Sequence, residues 1–525
     1  MKAGRIASLA YVLGMCLAGP VRAAEPAKAV ETVSGPVPSV VEGRVFLDAN
    51  ANGRLDEGEK GLAGVAVTDS VIFVTTGDDG SYKIKVSPDP LIPYRPSQVV
   101  SVSWPSGKWP TGAWWRRLSE IKAGESVDFG LREDKQALPF AFLHISDDHG
   151  SGGVYDVMAP RVKELGGMVR FCVNTGDMGS ATEEGADQTF SGIRTRASRF
   201  PIPALFVPGN HDIVGGHSAD GLKQHPLAGS GAYTKYLGPI RWSFDYAGAH
   251  FAGIDWIFIN NEGKLDLGVP QVAADWLERD LGRLKQGTRI SLFVHFPTGC
   301  QKYYSVISKH KVTFIFGGHN HQHRYYNYAG VPAVTTVNPR GGGAGNLGIV
   351  GGDGFDVVEY CNGCKGPEYH SKLCALGQLA RTLLPAVKGR RGRQETVADR
   401  KLISATMAVG PGQAKSVELA AEIEPGTAGK VGVRIGRDQS VEVALAGDRL
   451  LAAGVPIPFA FQPHDNKTLN WHIVVDDGRL TIYANSRVRL LKAVKVDAPG
   501  AVTLFAENGS AEFKKVDVWE LKAKP

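Results

Sequence analysis

Three patterns of apolar and polar positions follow one another along the chain. From residue 43 to about 131, apolar residues come in short β-type runs, such as Val65-Ala66-Val67, Val71-Ile72-Phe73-Val74 and Tyr82-Lys83-Ile84-Lys85-Val86, with Gly and Asp turns between them. They predict a small β-sandwich over 41–133. From 136 onward, apolar strands alternate with helical faces. Segments 141–145, 169–173, 204–207, 290–294 and 312–316 read as strands, while 154–165 and the face formed by Val272, Trp276, Leu277, Leu281 and Leu284 read as helices. That alternation predicts an α/β domain over 136–374. Strands return at 431–435, 471–475, 480–483 and 502–505, predicting a second all-β domain over 399–525. Between the two, residues 375–398 carry Lys388, Arg390, Arg391 and Arg393 and read as a solvated basic linker.

The N-terminus breaks these patterns. Lys2 and Arg5 precede an apolar run over 6–19, and Val21 and Ala23 place small or modest residues before a cut after Ala23. Residues 1–23 therefore read as a signal peptide and 24–40, rich in Ala, Pro, Val and Ser, as a linker. No later segment reaches the roughly 20 apolar residues of a membrane span. The expectation is a periplasmic or secreted protein without a transmembrane span. With 43% hydrophobic and 21% charged residues, the 525-residue composition is globular, and a net charge of +6 forces neither a nucleic-acid nor a membrane partner. Export means an oxidising compartment. There, the cluster Cys361, Cys364, His370 and Cys374 reads as a disulfide with one odd thiol ahead of a zinc knuckle.

Candidate chemistry lies in the α/β region, where five short motifs each follow or end an apolar strand. They are Asp147-Asp148-His149, Gly176-Asp177, Gly209-Asn210-His211-Asp212, His295 and Gly318-His319-Asn320-His321. Open α/β sheets place ligands at strand C-terminal ends, so carboxylates, imidazoles and one amide oxygen converge on one sheet edge. Two divalent ions roughly 3.5–4 Å apart need a bridging carboxylate and neutral imidazoles, and together they polarise a phosphoryl group and lower the pKa of a water between them. Nitrogen and oxygen donors without thiolate suit manganese, iron, zinc or cobalt. A single histidine is more often structural; the ordered set is what points to metal. Asp148 reads as a support for its neighbours. His144, His217 and His323 match no ligand position and read as surface or supporting residues. Arg340 reads equally as a phosphate contact or as part of a turn.

The series D-x-H, GD, GNHD, H and GHxH resembles the calcineurin-like metallophosphoesterase superfamily, in particular exported bacterial members with a β-domain on each side. The resemblance implies a four-layer α/β/β/α sandwich. It implies that Asp147, His149, Asp177 and His321 hold one ion and that Asp177, Asn210, His295 and His319 hold the other, with Asp177 bridging. It implies that His211 protonates the leaving oxygen, with Asp212 as a nearby support. The implied activity is hydrolysis of phosphomono- or phosphodiesters on a small substrate: a nucleotide, sugar phosphate or phospholipid head group. Purple acid phosphatases place a metal-binding Tyr three residues after the bridging Asp. Here that position is Ser180, so an Fe(III)–tyrosinate site is not expected. The Arg-containing extension of the Ser/Thr protein phosphatases is also missing after Asp177.

The flanks carry two further expectations. The C-terminal domain, with Trp471-His472-Ile473-Val474-Val475-Asp476, resembles concanavalin-like or laminin-G-like β-sandwiches, some of which bind glycans; scaffold is the default reading. The alternative function is a cell-surface glycan-binding protein with an inactive phosphoesterase core, and the complete ligand set argues against it. Residues 43–48 resemble the B-type repeats of bacterial surface proteins. The loop that follows places Asp48, Asn50, Asn52, Asp56 and Glu59 at positions 1, 3, 5, 9 and 12, with Gly53 at the sharp turn and the Arg54 carbonyl at position 7. That is EF-hand spacing, and it predicts a fold-stabilising calcium ion. Nearby, Trp104, Trp109, Trp114 and Trp115 read as packing rather than as a ligand platform.

Overall fold

The computed structural model describes residues 38–89, 97–138, 140–149, 153–164, 169–179, 185–213, 229–259, 265–322, 324–336, 338–339, 344–350, 355–361, 390–447, 449–453, 455–457, 468–476, 478–484 and 487–523. The expected signal peptide, Ser180, His217, His323, Arg340, Cys364, His370 and Cys374 fall outside them, as does the side chain of Cys361.

The centre of the molecule is two facing sheets. The first contains the parallel strands Ala204–Phe206, Val169–Asn174 and Phe140–Ile145, then Ala344–Val350 and Phe355–Cys361. The second runs Trp242–Tyr246, Ala249–Ile254, Arg289–Val294, Phe314–Gly317, Val331–Thr335 and Arg324–Tyr328. Strand side chains alternate between faces, and Phe140–Ile145 shows the result. Phe140 and Phe142 enter an aromatic core between the sheets, where Phe142 meets Phe171, Phe251, Phe293 and Phe316 at ring distances of 5.2–5.6 Å. Ala141, Leu143 and Ile145 face the other way, in the core that also takes Val154, Tyr155 and Phe190 from the helices Gly153–Glu164 and Ala186–Ser198. The helices Gln271–Gly282 and Gln301–Lys309 bury Trp276, Leu277, Tyr303 and Val306 against the second sheet. The fold is the four-layer α/β/β/α sandwich, with β-domains before and after it.

The N-terminal sandwich pairs two four-stranded sheets. Val45, Ile84, Phe129 and Leu131 of one share a core with Val67, Val100 and Val102 of the other. It is joined to the second central sheet by buried contacts. Trp104 stacks on Phe244 at 4.7 Å and meets Trp109 and Trp114 edge-on, so these rings pack. Arg241, at 0% exposure, donates to Asp255 Oδ1 at 2.5 Å, to Asp89 Oδ2 at 2.7 Å and to the Ser70 carbonyl at 2.8 Å. A guanidinium suits such a buried position because its fixed fork satisfies several acceptors at once.

The first central sheet does not stop at the domain boundary expected from sequence. Phe355–Cys361 pairs with Arg487–Ala493 through Val357 and Leu491, and the sheet continues to a last strand, Arg391–Ile403. The basic linker expected over 375–398 is corrected from Arg391 onward, because its charges lie along an edge strand, where charged side chains are tolerated. Arg391 forms a two-pronged ion pair with the buried Glu418 at 2.7 Å and covers the Trp519 ring. A cavity of about 680 Å³ on this domain is lined by charged side chains such as Asp399, Glu422, Glu512 and Lys514.

One buried network ties stability to pH. His250, 1% exposed, lies 2.7 Å from Asp245 Oδ1 and 2.9 Å from Asp280 Oδ2, one carboxylate at each ring nitrogen. Ser243 and Arg283 also donate to Asp280, and Ser103 of the N-terminal sandwich meets Ser243 at 2.9 Å. Burial alone would lower the ring's pKa, but Asp280 and Asp245 outweigh it and push it up to about 9. A raised histidine pKa contributes stability below the unfolded value near 6.5, and that contribution is lost as pH rises through the folded value. The expected loss between pH 6.5 and about 9.5 is on the order of 3 kcal/mol. Denaturant melts of the wild type and of His250→Gln across that range check this. The variant should be weaker at pH 6.5 and nearly flat thereafter; parallel curves would show that the ring is not an imidazolium.

Candidate metal centre

Every motif residue within the described set sits where a central strand ends. Asp147 and His149 follow Phe140–Ile145, Asp177 follows Val169–Asn174, Asn210 and His211 follow Ala204–Phe206, His295 follows Arg289–Val294, and His319 and His321 follow Phe314–Gly317. The turns after these strands are tight. Asp147, His149, Asp177, His319 and His321 all have positive φ, between 41° and 72°. Asp and His tolerate this left-handed region better than most residues, and such positions persist only where surrounding structure enforces them.

Asp212 is one enforcer. It is fully buried, and its carboxylate accepts the backbone N–H groups of Asp177 and Gly209 at 2.8 Å and of Met178 at 3.1 Å. It therefore ties the Asp177 loop to the Asn210 loop. The glycines are another. A Cβ on Gly318 would lie 2.1 Å from Asp147 Oδ2, and one on Gly209 would lie 2.2 Å from Asp177 Oδ1. Only bare backbone leaves room for these carboxylates.

The side chains form two groups whose ligand atoms lie within 4.8 Å of one another: Asp147, His149, Asp177 and His321, and Asp177, His295 and His319. Asp177 belongs to both. Asn210 Oδ1 is 3.1 Å from His319 Nδ1, so the amide joins the second group. His149 Nε2 and His321 Nε2 face each other at 3.1 Å. His211 belongs to neither group. Its backbone N–H donates to Asp177 Oδ1 at 2.8 Å, and its ring stands 4.9 Å from that of His149.

These residues fit divalent cations, and His295 shows it most directly. Its Nδ1 donates to the Thr175 carbonyl at 2.7 Å, which fixes the ring with Nε2 turned to Asp177. That buried nitrogen lies 3.2 Å from Asp177 Oδ2, and against the ring's burial the Asp177 charge pushes its pKa up to about 9. Burial pushes the Asp147 carboxyl up to about 7, with the Asp177 charge adding to it. Against its own burial, Asp177 is held low by the His295 ring. Burial and the charge of His295 push the His319 ring down to about 4. Buried carboxylates that repel one another, set among imidazoles, are a donor set for cations.

Sequence reasoning left His144 between a surface and a supporting place and missed the aromatic rings around the site. His144 is fully buried and anchors the site from beneath, with Nε2 2.9 Å from Thr175 Oγ1 and Nδ1 3.0 Å from Asn346 Nδ2. Trp256 stands 4.7 Å from the His319 ring and 5.6 Å from that of His295, and Phe296 stands 5.5 Å from His319. Phe296 directly follows a motif histidine, which was a usable signal; Trp256 had none.

The Asp48–Glu59 loop is arranged differently. Asp48 is buried and accepts the N–H groups of Asn52 at 3.1 Å and Gly53 at 2.7 Å. The Asn50 and Asn52 amides donate to Asp56 Oδ2 at 2.8 and 2.7 Å, and Glu59 accepts from the N–H groups of Ala49 and Asp56. Among the described residues, its carboxylates do not gather as tightly as the two groups around Asp177.

Residues 140–323 match the family model for calcineurin-like phosphoesterase. No curated protein sequence matches the chain. Among solved structures, the chain is similar to purple acid phosphatase PPD1 from yellow lupin (Lupinus luteus) seeds. The identity is 13% and the TM-score 0.31, over 61% of this chain and 66% of that one. It is also similar to TT1561 of Thermus thermophilus, at 14% identity and TM-score 0.28, over 40% of this chain and 93% of that one. A third match is fructan 1-exohydrolase IIa from Cichorium intybus, at 7% identity and TM-score 0.22. It takes in 26% of this chain, which spans only 37% of that enzyme's length.

Proposed function

We propose that the calcineurin-like phosphoesterase domain at 140–323 hydrolyses phosphomono- or phosphodiesters at a two-cation site, with His211 as general acid. The observation that carries this is Asp177 shared between two ligand groups, with the buried Nε2 of His295 3.2 Å from its carboxylate. Asp147, His149, Asp177 and His321 would hold one ion, and Asp177, Asn210, His295 and His319 the other. Two such ions supply charge that polarises a phosphoryl oxygen and acidifies a water between them. Manganese, iron, zinc and cobalt all suit these donors. The chain's own contribution is to fix the donors by left-handed turns and the Asp212 clamp, and to place the His211 ring beside the first group. There it can deliver a proton to the departing oxygen.

Small phosphorylated molecules are the proposed substrates: a nucleotide, sugar phosphate or phospholipid head group. The N-terminal pattern supports export to the periplasm or beyond. The decisive test is elemental analysis of chelator-free protein together with a screen of mono- and diesters. Two ions per chain and turnover of an ester are expected. A single ion, or no turnover by two-ion protein, overturns the proposal.

We further propose that the Asp48–Glu59 loop takes calcium, on the strength of its ligand spacing. Because the sandwich shares buried contacts with the core, the test uses the whole chain. An ion that binds only the folded state adds roughly 2.7 kcal/mol at a hundredfold excess over Kd. Calcium should raise the melting temperature of the wild type and not that of a D48A/E59A double variant. Identical melts in calcium and in a calcium-selective chelator would leave the loop a turn.

A further inference from the structure

We propose that a strip of aromatic rings beside the second ligand group receives a planar ring carried on the substrate's phosphate, which makes the preferred substrate a diester with an aryl or nucleobase-bearing arm. This rests on the phosphoesterase reading above and sharpens it.

The strip starts at the metal-ligand candidate His319. Trp256, fully packed, backs the His319 ring at 4.7 Å, and Phe296 flanks it at 5.5 Å. From Phe296 the rings lead outward, to Tyr326 at 5.7 Å edge-on and from Tyr326 to Tyr328 at 5.5 Å. Phe296, Tyr326 and Tyr328 pack against the core of the second sheet, yet each is only half-buried. The strip is also held in register with the ligands. Asn320, between His319 and His321, donates its amide to the Tyr326 hydroxyl. The loop that supplies two histidines thus fixes the position of the middle ring.

Rings packed fully inside a core would need no further account. These form a continuous, partly open apolar surface whose inner end touches a ligand residue. A planar ring is the occupant it suits, because aromatic faces favour offset or edge-on partners 4.5–7 Å away.

The position of His211 decides which arm of the substrate goes there. Its ring packs on His149 of the first group, whereas the strip packs on His319 of the second. The departing oxygen must lie within reach of His211. The strip therefore receives a substituent that stays on phosphorus, and a monoester has none.

The test keeps the departing group constant. Metal-loaded protein is given p-nitrophenyl phosphate and its methyl, phenyl and thymidine-5′ diesters. The phenyl and thymidine diesters should exceed the methyl diester in kcat/KM by roughly tenfold, the scale of one stacked ring. In Tyr328→Leu and in Phe296→Leu the phenyl-to-methyl ratio should fall towards one. Turnover with a wild-type ratio near one overturns the strip alone, as does an unchanged ratio in both variants. No turnover of any ester by protein holding two ions overturns the phosphoesterase reading, and the strip with it.

Discussion

Asp177→Asn is expected to release both metal ions at once and to reduce ester hydrolysis to the level of chelated protein. Asp177 is the one side chain in both ligand groups. Its Oδ2 lies 3.2 Å from His295 Nε2 and 3.9 Å from His149 Nε2. The remaining donors divide into an Asp147-centred set and a second set, His295, His319 and Asn210, that has no carboxylate of its own. Removing the shared carboxylate would take from both groups the one anion they have in common. The choice of asparagine matters. Position 177 has φ of 52°, a region in which asparagine is among the better-tolerated residues, whereas alanine there costs about 1–2 kcal/mol of backbone strain. Asparagine also retains an oxygen for the His211 N–H, so loss of metal is not confounded with loss of fold. Elemental analysis and a thermal melt of the same sample provide the check. Retention of one ion per chain would show that the two groups bind independently and that Asp177 is not shared.

Much of this site was legible in the sequence because its geometry is local. Each motif is one strand end and the turn after it, so apolar runs at 141–145, 169–173 and 290–294 already placed the candidate ligands on one edge. The structure moves those runs by a residue or so, to Phe140–Ile145, Val169–Asn174 and Arg289–Val294. The glycines of the motifs have an equally local reason, since Gly318 and Gly209 press directly on ligand carboxylates. What was not legible depends on distant contacts. Nothing in the period of 391–403 distinguishes a solvated basic segment from an edge strand; the partners that decide it, Glu418 and the strand Ala511–Leu521, are set by tertiary pairing. Arg241 looks like any surface arginine until Asp89 and Asp255 close on it from two domains. Asp212 was read as a support for His211, whereas its oxygens are taken by three backbone amides or more, a use that no spacing rule reveals.

His211→Ala should keep both ions and yet lose on the order of 10²–10⁴ in kcat on an alkyl ester, the usual size of a general-acid contribution. The geometry separates this residue from the ligands. His211 is absent from both ligand groups, and its contact with Asp177 runs through its backbone N–H at 2.8 Å, which alanine retains. What the substitution removes is a ring 4.9 Å from that of His149, at the rim of the first group. If that ring protonates the departing oxygen, the damage must scale with how much the departing group needs the proton. A p-nitrophenolate leaves readily as the anion, so the loss should be smaller for p-nitrophenyl esters than for alkyl esters. Equal losses on both ester types would assign His211 to stabilising charge on phosphorus instead of moving a proton. Loss of an ion with the ring would make it a ligand, and either result removes the general acid from the proposed mechanism.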